Sequence, residues 1–349
     1  MNKKYYIVND EIFKSLNFIH LLLSIIRGII VMVKYMKKRR LKKKPIIILC
    51  SFFVCLILII VSIKMIKYYS SYEYKLGRLG YNDEEVGEIL KLDKKYLNYA
   101  LENDYDKFFV SLIQQKYFIW RNYKAYKSYI NSKYKNSKVN YEDVILKVNT
   151  KTNFDYYTHT TLTNMKLGYG ILVNKYYSLP SKYAPDDIVP MSSQYSYPGN
   201  SIRKEVYEAF KEMSSAAKNE KITLIVNSSY RDYKTQKEIY DDYADKNGKE
   251  YADKFAARPD FSEHQTGLAL DIFTPGAGMK TFGDSNAFKW LVKNSYKYGF
   301  ILRYPEGKEN ITGYAYESWH YRYLGKNLAK KVYESGLTFD EYYVYYLEK

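Results

Sequence analysis

The sequence predicts an α+β domain with a small, largely antiparallel sheet, preceded by a membrane helix and a helical spacer. Short apolar runs of strand type and amphipathic helical patterns are mixed throughout the C-terminal half. They do not alternate as regular βαβ units, which argues against a parallel sheet. One uninterrupted apolar run near the N-terminus is long enough to cross a bilayer.

That apolar run, Ile46–Ile63, contains no charged residue. At 1.5 Å per residue it reaches about 27 Å, close to the hydrocarbon core of about 30 Å. Seven lysines and arginines between residues 37 and 44 precede it, and the positive-inside rule places this cluster in the cytoplasm and the chain after Lys64 outside. Because no small-residue cleavage pattern follows, we expect an uncleaved transmembrane anchor, with a buried helix of a soluble protein as the alternative.

A second apolar run, residues 16–33, is interrupted by His20 and Arg27. Three interpretations stay open: a second membrane or interfacial segment, or sequence upstream of a true start at Met36. Residues 1–45 are expected to form a basic cytoplasmic N-terminus, apart from this possible membrane segment. In each interpretation the basic cluster stays inside and the C-terminal domain faces outward. The localisation expected from the sequence is therefore a bacterial cell membrane, with the folded domain on its extracytoplasmic side.

The formal net charge of +17 invites comparison with nucleic-acid-binding proteins. Seven of these charges belong to the juxtamembrane cluster, which anionic lipids explain, and the others are scattered. We therefore expect no nucleic-acid partner. Both cysteines, Cys50 and Cys55, lie in the membrane run, so the exported part has no disulfide and no thiol for metal binding or nucleophilic attack.

Residues 70–135 have helical periodicity, opened by Asn82 or Asp83 as an N-cap. They predict a helical spacer, with a wall-binding or partner-binding module as the alternative. A polar junction follows, and the C-terminal folded domain is expected over 140–349. Within it, a helix and loop over 247–262 form a candidate lid. The strands are predicted at 171–173, 222–226, 268–273, 299–304 and 316–323, and the helices at 202–219, 232–243, 285–298, 324–334 and 339–347.

Two short motifs place histidines beside carboxylates. Ser262-Glu-His-Gln-Thr-Gly-Leu-Ala-Leu-Asp271 supplies His264 and Asp271, and Glu317-Ser-Trp-His320 supplies the other pair. Two imidazoles and one carboxylate fill three corners of a zinc tetrahedron and leave the fourth open, as catalytic zinc sites require. The remaining carboxylate, Glu317, can accept a proton from water.

The setting of these residues tests the metal hypothesis. Asp271 lies among apolar residues, where a charge is costly unless it is paired or bound to a metal. A buried salt bridge to arginine or lysine is the alternative. Residues three apart in an extended strand face opposite sides. Glu317 and His320 therefore reach one site only if their strand is twisted or bulged.

Together with Ser229-Tyr-Arg231 and Gln236 upstream, the two motifs resemble the signature of VanY-type D-alanyl-D-alanine carboxypeptidases, which belong to the LAS group of zinc peptidases. The resemblance covers roughly residues 171–347 and implies the LAS, or hedgehog-like, peptidase fold. It implies Zn²⁺ held by His264, Asp271 and His320, with Glu317 as the base and Arg231 as the cation that stabilises developing negative charge. The substrate-contact candidates, each also interpretable as an ordinary polar residue, are Gln236, Ser262, Ser229 and Tyr230.

The function that the resemblance implies is a membrane-anchored, extracytoplasmic zinc carboxypeptidase that removes the terminal D-alanine from peptidoglycan stem peptides. L,D-carboxypeptidase and peptidoglycan endopeptidase activities are alternatives on the same scaffold. A non-catalytic, zinc-containing module that binds the cell wall is the alternative of a different class. The presence of Glu317 favours the enzyme, because a binding module needs no catalytic base.

Overall fold

The computed structural model describes residues 43–135 and 137–348, with a few isolated positions between 24 and 35. The chain divides into two compact units, Met1–Val110 and Ser111–Lys349. Most of the apolar run 16–33, and the basic residues 37–42, lie outside the described residues.

The first unit begins with a long helix, α1 (Lys43–Ser70), which contains the predicted membrane run. Its segment Ser51–Ser70 is long and apolar enough to cross a membrane, and its apolar stretch carries no buried residue. Length and composition alone make this a weak indication, because signal sequences and core helices share both properties. The helix is therefore compatible with the predicted anchor.

Shorter helices follow in the first unit, and their ends are defined by local capping. Asn82 is the N-cap of its helix: its side chain accepts a hydrogen bond from the Glu85 amide at 2.9 Å, and Glu85 Oε2 accepts one from the Asn82 amide at 2.8 Å. This reciprocal capping box satisfies two backbone donors that the helix leaves free. The helices of the first unit are α2 (Tyr72–Leu79), α3 (Asp83–Leu90) and α4 (Lys94–Glu102), and α5 (Phe109–Ile113) crosses the boundary after Val110.

The second unit contains two helices from the region before the catalytic motifs, α6 (Tyr123–Lys133) and α7 (Tyr141–Thr150). Tyr117 stacks on Tyr345 at a centroid distance of 4.0 Å, and Arg121 Nη2 lies 3.1 Å from Glu348 Oε2. The spacer predicted over 70–135 is thus shared between the units. Its last part packs against the C-terminal segment, a contact between distant residues that helical periodicity does not reveal.

A four-stranded antiparallel sheet forms the centre of the second unit, with strand order β5-β6-β8-β7. This confirms the predicted small antiparallel sheet. Two short two-stranded pairs accompany it, β1 with β2 in parallel and β3 with β4 antiparallel. The strands are β1 (Thr161–Leu162), β2 (Tyr177–Ser178), β3 (Ile188–Pro190), β4 (Ser201–Arg203), β5 (Ile225–Ser228), β6 (Ala269–Phe273), β7 (Phe300–Tyr304) and β8 (Glu317–Tyr323).

Two strand predictions need correction. Residues 171–173 are buried but form no strand, because an apolar run indicates burial and does not by itself specify strand pairing. The strand expected at 222–226 begins three residues later, at Ile225, and continues to Ser228.

The core of the second unit lies between the sheet and α8 (Lys204–Asn219). Val206, Phe210 and Met213 on this helix are buried in one cluster with Leu270 and Ile272 of β6. Burial of this apolar surface holds β6, which carries a motif carboxylate, in a fixed position. The remaining helices are α9 (Tyr233–Asn247), α10 (Lys249–Phe255), α11 (Asn286–Asn294), α12 (Glu309–Thr312), α13 (Lys326–Ser335) and α14 (Phe339–Tyr342), after which one π-helical turn covers Tyr343–Leu347.

Candidate active site

The three residues expected to hold a metal meet in the second unit. One potential ligand atom from each of His264, Asp271 and His320 lies within 4.8 Å of the others. The sheet accounts for two of them, because Asp271 of β6 is paired directly with His320 of β8. His264 comes from a 3-10 turn, Glu263–Thr266, just before β6.

Gly267 ends that turn with a left-handed backbone, φ +66°. A Cβ at this position would lie 2.7 Å from Arg203 Cγ and 2.9 Å from Ile188 Cδ1. Glycine is therefore required both by the backbone conformation and by the close approach of neighbouring side chains. The turn returns the chain into β6 within hydrogen-bonding distance of His264, whose carbonyl accepts the Gly267 amide.

In each of the two imidazoles, one nitrogen is hydrogen-bonded within the protein and the other faces the site. His264 Nδ1 lies 2.7 Å from the Ser229 carbonyl, so this nitrogen donates and Nε2 keeps its lone pair. His320 Nε2 lies 3.2 Å from Glu263 Oε2, which leaves Nδ1 facing the site. Metal-binding histidines show this division of roles, with the second nitrogen donating to a carbonyl or carboxylate.

Asp271 completes the donor set. Its Oδ1 is 3.5 Å from His264 Nε2 and 3.3 Å from His320 Nδ1. Within the part of the chain that the structure describes, this buried oxygen accepts no hydrogen bond, and no lysine or arginine pairs with Asp271, which argues against the salt-bridge alternative. A buried carboxylate oxygen between two imidazole nitrogens fits a divalent metal with the ligand preferences of Zn²⁺.

The electrostatics of the three side chains suit metal binding. Burial, reinforced by the positive charge of Arg231, lowers the pKa of His264 to about 4, so this imidazole is neutral at pH 7. Burial alone would raise the pKa of Asp271, but His264 and His320 outweigh it and hold the pKa well below its usual range. Burial also opposes protonation of His320, yet the adjacent carboxylates of Asp271 and Glu263 raise its pKa to about 9. A metal must therefore displace one proton from His320.

The irregularity that the sequence requires in β8 is present. Leu302 is paired with Tyr321, whereas Tyr304, two residues later on β7, is paired with Glu317, four residues earlier on β8. The two additional residues of β8 form a bulge, which turns Glu317 to the same side as His320. Glu317 Oε2 consequently lies 3.6 Å from His320 Nδ1.

Glu317 has the protonation behaviour of a general base near neutrality. Burial raises its pKa to about 7, against the lowering effect of the adjacent His320. A base whose pKa is close to the working pH is both available as the anion and able to retain a proton.

Arg231 lies where β5 gives way to α9, as the sequence predicts. Its backbone amide donates to the His264 carbonyl at 3.2 Å, which connects it to the turn of the first motif. Its Nε atom is buried and has no hydrogen-bond partner among the described residues. A cation with an unused donor near the motif histidine is available for substrate.

The four substrate-contact candidates differ in how much of their hydrogen-bonding capacity is free. The Ser229 hydroxyl donates to Asn200 Oδ1 at 2.7 Å and accepts from the Ser201 amide at 3.1 Å, so it already has partners within the protein. Gln236 donates to the Ala257 carbonyl, but its Oε1 is buried without a hydrogen-bond partner in the described part of the chain. Ser262, the first residue of the first motif, is buried, and Tyr230 is half-buried.

One buried residue of the first motif, Glu263, was not among the predicted site residues. Its Oε2 faces His320, and its Oε1 accepts from Arg303 Nε and Arg322 Nη1, both at 2.8 Å. The buried-charge argument used for Asp271 could have drawn attention to it. Sequence reasoning missed it because its partners lie about forty and sixty residues away.

Comparison with known proteins identifies the family of this chain. A family model described as VanY, D-alanyl-D-alanine carboxypeptidase, matches residues 199–326. The bifunctional D-Ala-D-Ala dipeptidase and D-Ala-D-Ala carboxypeptidase VanXYC of Enterococcus gallinarum is 34% identical over 186 residues, which cover 50% of this chain and 93% of that relative. The chain belongs to the VanY family.

Other relatives of this VanY-family chain cover less of their own length. YodJ of Bacillus subtilis (strain 168) is 45% identical over 179 residues, 49% of this chain and 66% of the relative. A D-alanyl-D-alanine carboxypeptidase of Enterococcus faecalis is 36% identical over 181 residues, 49% of this chain and 64% of the relative. The chain thus spans slightly less than two thirds of the length of these relatives.

Solved structures similar to the VanY-family region include the LdcB LD-carboxypeptidase, 44% identical with a TM-score of 0.48, covering 50% of this chain and 85% of that one. Another is a vancomycin-resistance D,D-pentapeptidase VanY in complex with Zn(II). It is 34% identical with a TM-score of 0.44, covering 50% of this chain and 98% of that one.

Proposed function

We propose that this protein is a zinc D-alanyl-D-alanine carboxypeptidase that hydrolyses the terminal D-alanine of peptidoglycan stem peptides. One observation carries the proposal: the proposed ligands His264, Asp271 and His320 have a half-buried carboxylate beside them, Glu317, whose pKa of about 7 suits a general base and which lies 3.6 Å from His320. The relatives from Enterococcus named as D-Ala-D-Ala carboxypeptidases support the choice of substrate.

The ligands proposed for Zn²⁺ are His264 through Nε2, Asp271 through Oδ1 and His320 through Nδ1. Bound there, zinc supplies Lewis-acid chemistry, which polarises the scissile carbonyl and lowers the pKa of water. Three protein ligands leave a coordination position open, as catalytic zinc sites do.

Two side chains, Glu317 and Arg231, supply proton transfer and charge stabilisation. Glu317 accepts a proton from the attacking water and passes it to the nitrogen of the departing D-alanine as the C–N bond breaks. Arg231 supplies positive charge beside the carbonyl oxygen, where negative charge develops during attack. Both groups are held by the sheet and the motif turn, so they need little reorganisation when substrate binds.

The proposed substrate contacts are Gln236, Ser262, Ser229 and Tyr230. Gln236 has the most direct support, because its buried Oε1 is free to accept a hydrogen bond from an amide of the peptide. Ser229 acts indirectly in this proposal, since its carbonyl orients His264 while its hydroxyl is occupied by Asn200 and Ser201.

We further propose that α1 anchors the protein in a bacterial cell membrane, with the second unit on the extracytoplasmic side. The length and apolar character of Ser51–Ser70 support the anchor. The basic cluster that precedes the apolar run supports this orientation, and peptidoglycan is then within reach of the site. No nucleic-acid partner is part of the proposal.

The test uses the full chain in detergent, loaded with zinc, beside a Glu317→Gln variant. Synthetic stem peptides ending in D-Ala-D-Ala or in a single D-alanine, and a cross-linked dimer, are incubated and the products identified by mass spectrometry. We expect one D-alanine to be released from the pentapeptide, and its release to be lost in the variant.

The other outcomes contradict the proposed substrate in distinguishable ways. Release from the tetrapeptide alone assigns L,D-carboxypeptidase activity, and cleavage only of the cross-link assigns an endopeptidase. No cleavage of any peptide, with zinc bound in a 1:1 ratio, identifies a non-catalytic wall-binding module.

A further inference from the structure

Behind the metal ligands lies a cluster of four buried charged side chains. Glu263, Arg303, Arg322 and Asp340 are each at most 2% exposed. Two are acidic and two are basic, so their formal charges cancel. Such a cluster is costly to assemble, since each ion loses its hydration and an apolar replacement is often as stable. Its retention calls for a role beyond stability.

The cluster forms a continuous path from a metal ligand to the C-terminal helix α14. His320 Nε2 lies 3.2 Å from Glu263 Oε2, and Glu263 Oε1 accepts from Arg303 Nε at 2.8 Å. Both terminal nitrogens of Arg303 then bind Asp340, at 2.5 Å and 3.1 Å. This bidentate pair has the strong geometry of guanidinium and carboxylate groups.

The far end of the path is itself held in place. Asp340 Oδ1 accepts from Asn174 Nδ2 at 2.7 Å, and Asn174 Oδ1 accepts from the amides of Tyr176 and Tyr177. Asp340 is therefore anchored to a segment outside the four-stranded sheet. The position of Arg303, and through it that of Glu263, depends on this anchor.

Asp340 also affects how strongly the Glu263 carboxylate can accept a hydrogen bond from His320. With Asp340 present, Arg303 is shared between two carboxylates, while Arg322 donates to Glu263 and to the carbonyls of Tyr169 and Ile171. Without the Asp340 charge, Glu263 is the one carboxylate, among the described contacts, that is left to pair with both Arg303 and Arg322. Its capacity to accept from His320 then falls, because both arginines compete for the same oxygens.

We propose that Asp340 is a positioning residue for the metal. Acting through Arg303 and Glu263, it holds His320 as an Nε2–H donor so that Nδ1 faces the metal. This inference rests on the proposed zinc site but not on the identity of the substrate. It concerns a residue beyond the matched family region, which ends at 326.

The test is a double-mutant cycle read out as zinc affinity, measured by chelator competition on the full chain in detergent. The proteins are wild type, Asp340→Asn, Glu263→Gln and the double variant. We expect Glu263→Gln to weaken zinc binding by about 10- to 100-fold and Asp340→Asn by about three- to tenfold. In the Glu263→Gln background, Asp340→Asn should not weaken zinc binding further, because Asp340 acts on His320 through the carboxylate that Glu263→Gln has already removed.

Glu341→Gln is the matched control on the same helix. Glu341 belongs to the α14 capping box with Thr338 and makes no contact with Arg303 among the described interactions. We expect this variant to lower the unfolding temperature of the zinc-free protein while leaving zinc affinity within about twofold, as the loss of a helix cap predicts. If Glu263→Gln fails to fold, the comparison of Asp340→Asn with Glu341→Gln, supplemented by the visible spectrum of the Co²⁺-loaded proteins, decides the question.

Two results overturn the inference. One is unchanged zinc affinity and an unchanged Co²⁺ spectrum in Asp340→Asn, whatever its stability. The other is a loss in Asp340→Asn that adds in full to that of Glu263→Gln. If the wild-type protein binds no zinc, the proposed metal site itself fails, and the inference fails with it.

Discussion

The distance of 3.6 Å between Glu317 Oε2 and His320 Nδ1 places an ionisable carboxylate beside the metal-binding set without making it a ligand. A general base must be close to the attacking water yet free to exchange a proton. The two carboxylates of the site are thereby distinguished: Asp271 lies between the imidazoles, and Glu317 lies at their edge.

Replacing Glu317 by Gln should separate metal binding from catalysis. We expect zinc stoichiometry to stay at one per chain, while kcat falls by about 10²- to 10⁴-fold, the usual contribution of a general base. Metal analysis and steady-state kinetics on the same sample provide the measurement. Loss of zinc together with activity would instead show that Glu317 is a ligand.

Zinc binding should release close to one proton per site at pH 7 to 8. The reason is that the pKa of His320 is about 9 in the metal-free protein, whereas His264, with a pKa of about 4, is already neutral. Zinc affinity should therefore rise about tenfold per pH unit from pH 7 toward pH 9 and level off above the His320 pKa. Calorimetry in buffers of different ionisation enthalpy counts the protons. If zinc binding releases no proton, His320 is not protonated in the metal-free protein.

At the residue scale, the sequence indicated the proposed metal ligands but not the buried charged residues that contact them. Asp271 could be singled out because a charge within an apolar strand needs a partner. The same rule applies to Arg303 and Arg322, yet their partner Glu263 is joined to them only by the pairing of β7, β8 and the motif turn. A partner distant in sequence cannot be identified from local spacing.

At the scale of secondary-structure elements, the bulge in β8 and the turn before β6 determine whether the ligands converge. The need for a bulge between Glu317 and His320 followed from strand geometry, and the structure provides it. The helices and strands around the site were predicted from periodicity. The exception at 171–173 arises because burial and strand pairing give the same apolar pattern in a short segment.

Gly267→Ala should disturb the turn before β6, whereas the same substitution at another glycine of positive φ should have a smaller effect. Both Gly267 and Gly276 have positive φ, at 66° and 82°, but only at Gly267 would a Cβ clash with neighbours, Arg203 and Ile188. We expect Gly276→Ala to destabilise the protein by about 1 kcal/mol and Gly267→Ala by about 2–4 kcal/mol.

The same pair of variants tests the link between the turn and the metal. Because the turn carries His264 into the site, Gly267→Ala should also weaken zinc binding by more than tenfold, an order of magnitude typical of a displaced ligand shell. Gly276→Ala should leave zinc affinity unchanged. Denaturant unfolding and chelator competition give the two quantities. Equal zinc affinity in both variants would show that the turn does not position His264.

On the scale of the whole molecule, composition and apolar length predicted a membrane-proximal part and a folded part, but the division between compact units falls at Val110, inside the predicted spacer. Helical periodicity identifies helices and does not indicate which neighbour they pack against. Within the second unit, Tyr117 stacks on Tyr345 of the C-terminal segment, a contact that periodicity does not indicate.

Zinc should stabilise the second unit, since the proposed ligands all lie in it. At a free zinc concentration 100 times the dissociation constant, the gain in the free energy of unfolding is about 2.7 kcal/mol. Thermal unfolding of the full chain with zinc and with a chelator should therefore show an upward shift of a transition when zinc is present. No shift of any transition at saturating zinc contradicts metal binding to the folded second unit.

The contacts of Tyr117 with Tyr345 and of Arg121 with Glu348 join the two ends of the second unit. The region matched to the family, 199–326, contains neither end, and it also excludes Asp340. The segment matched to the family and the compact second unit are thus different stretches of this chain. To join the second unit to another anchor, residues 111–348 should be kept as one piece, because a cut at the borders of the family match would remove the contacts that join its two ends.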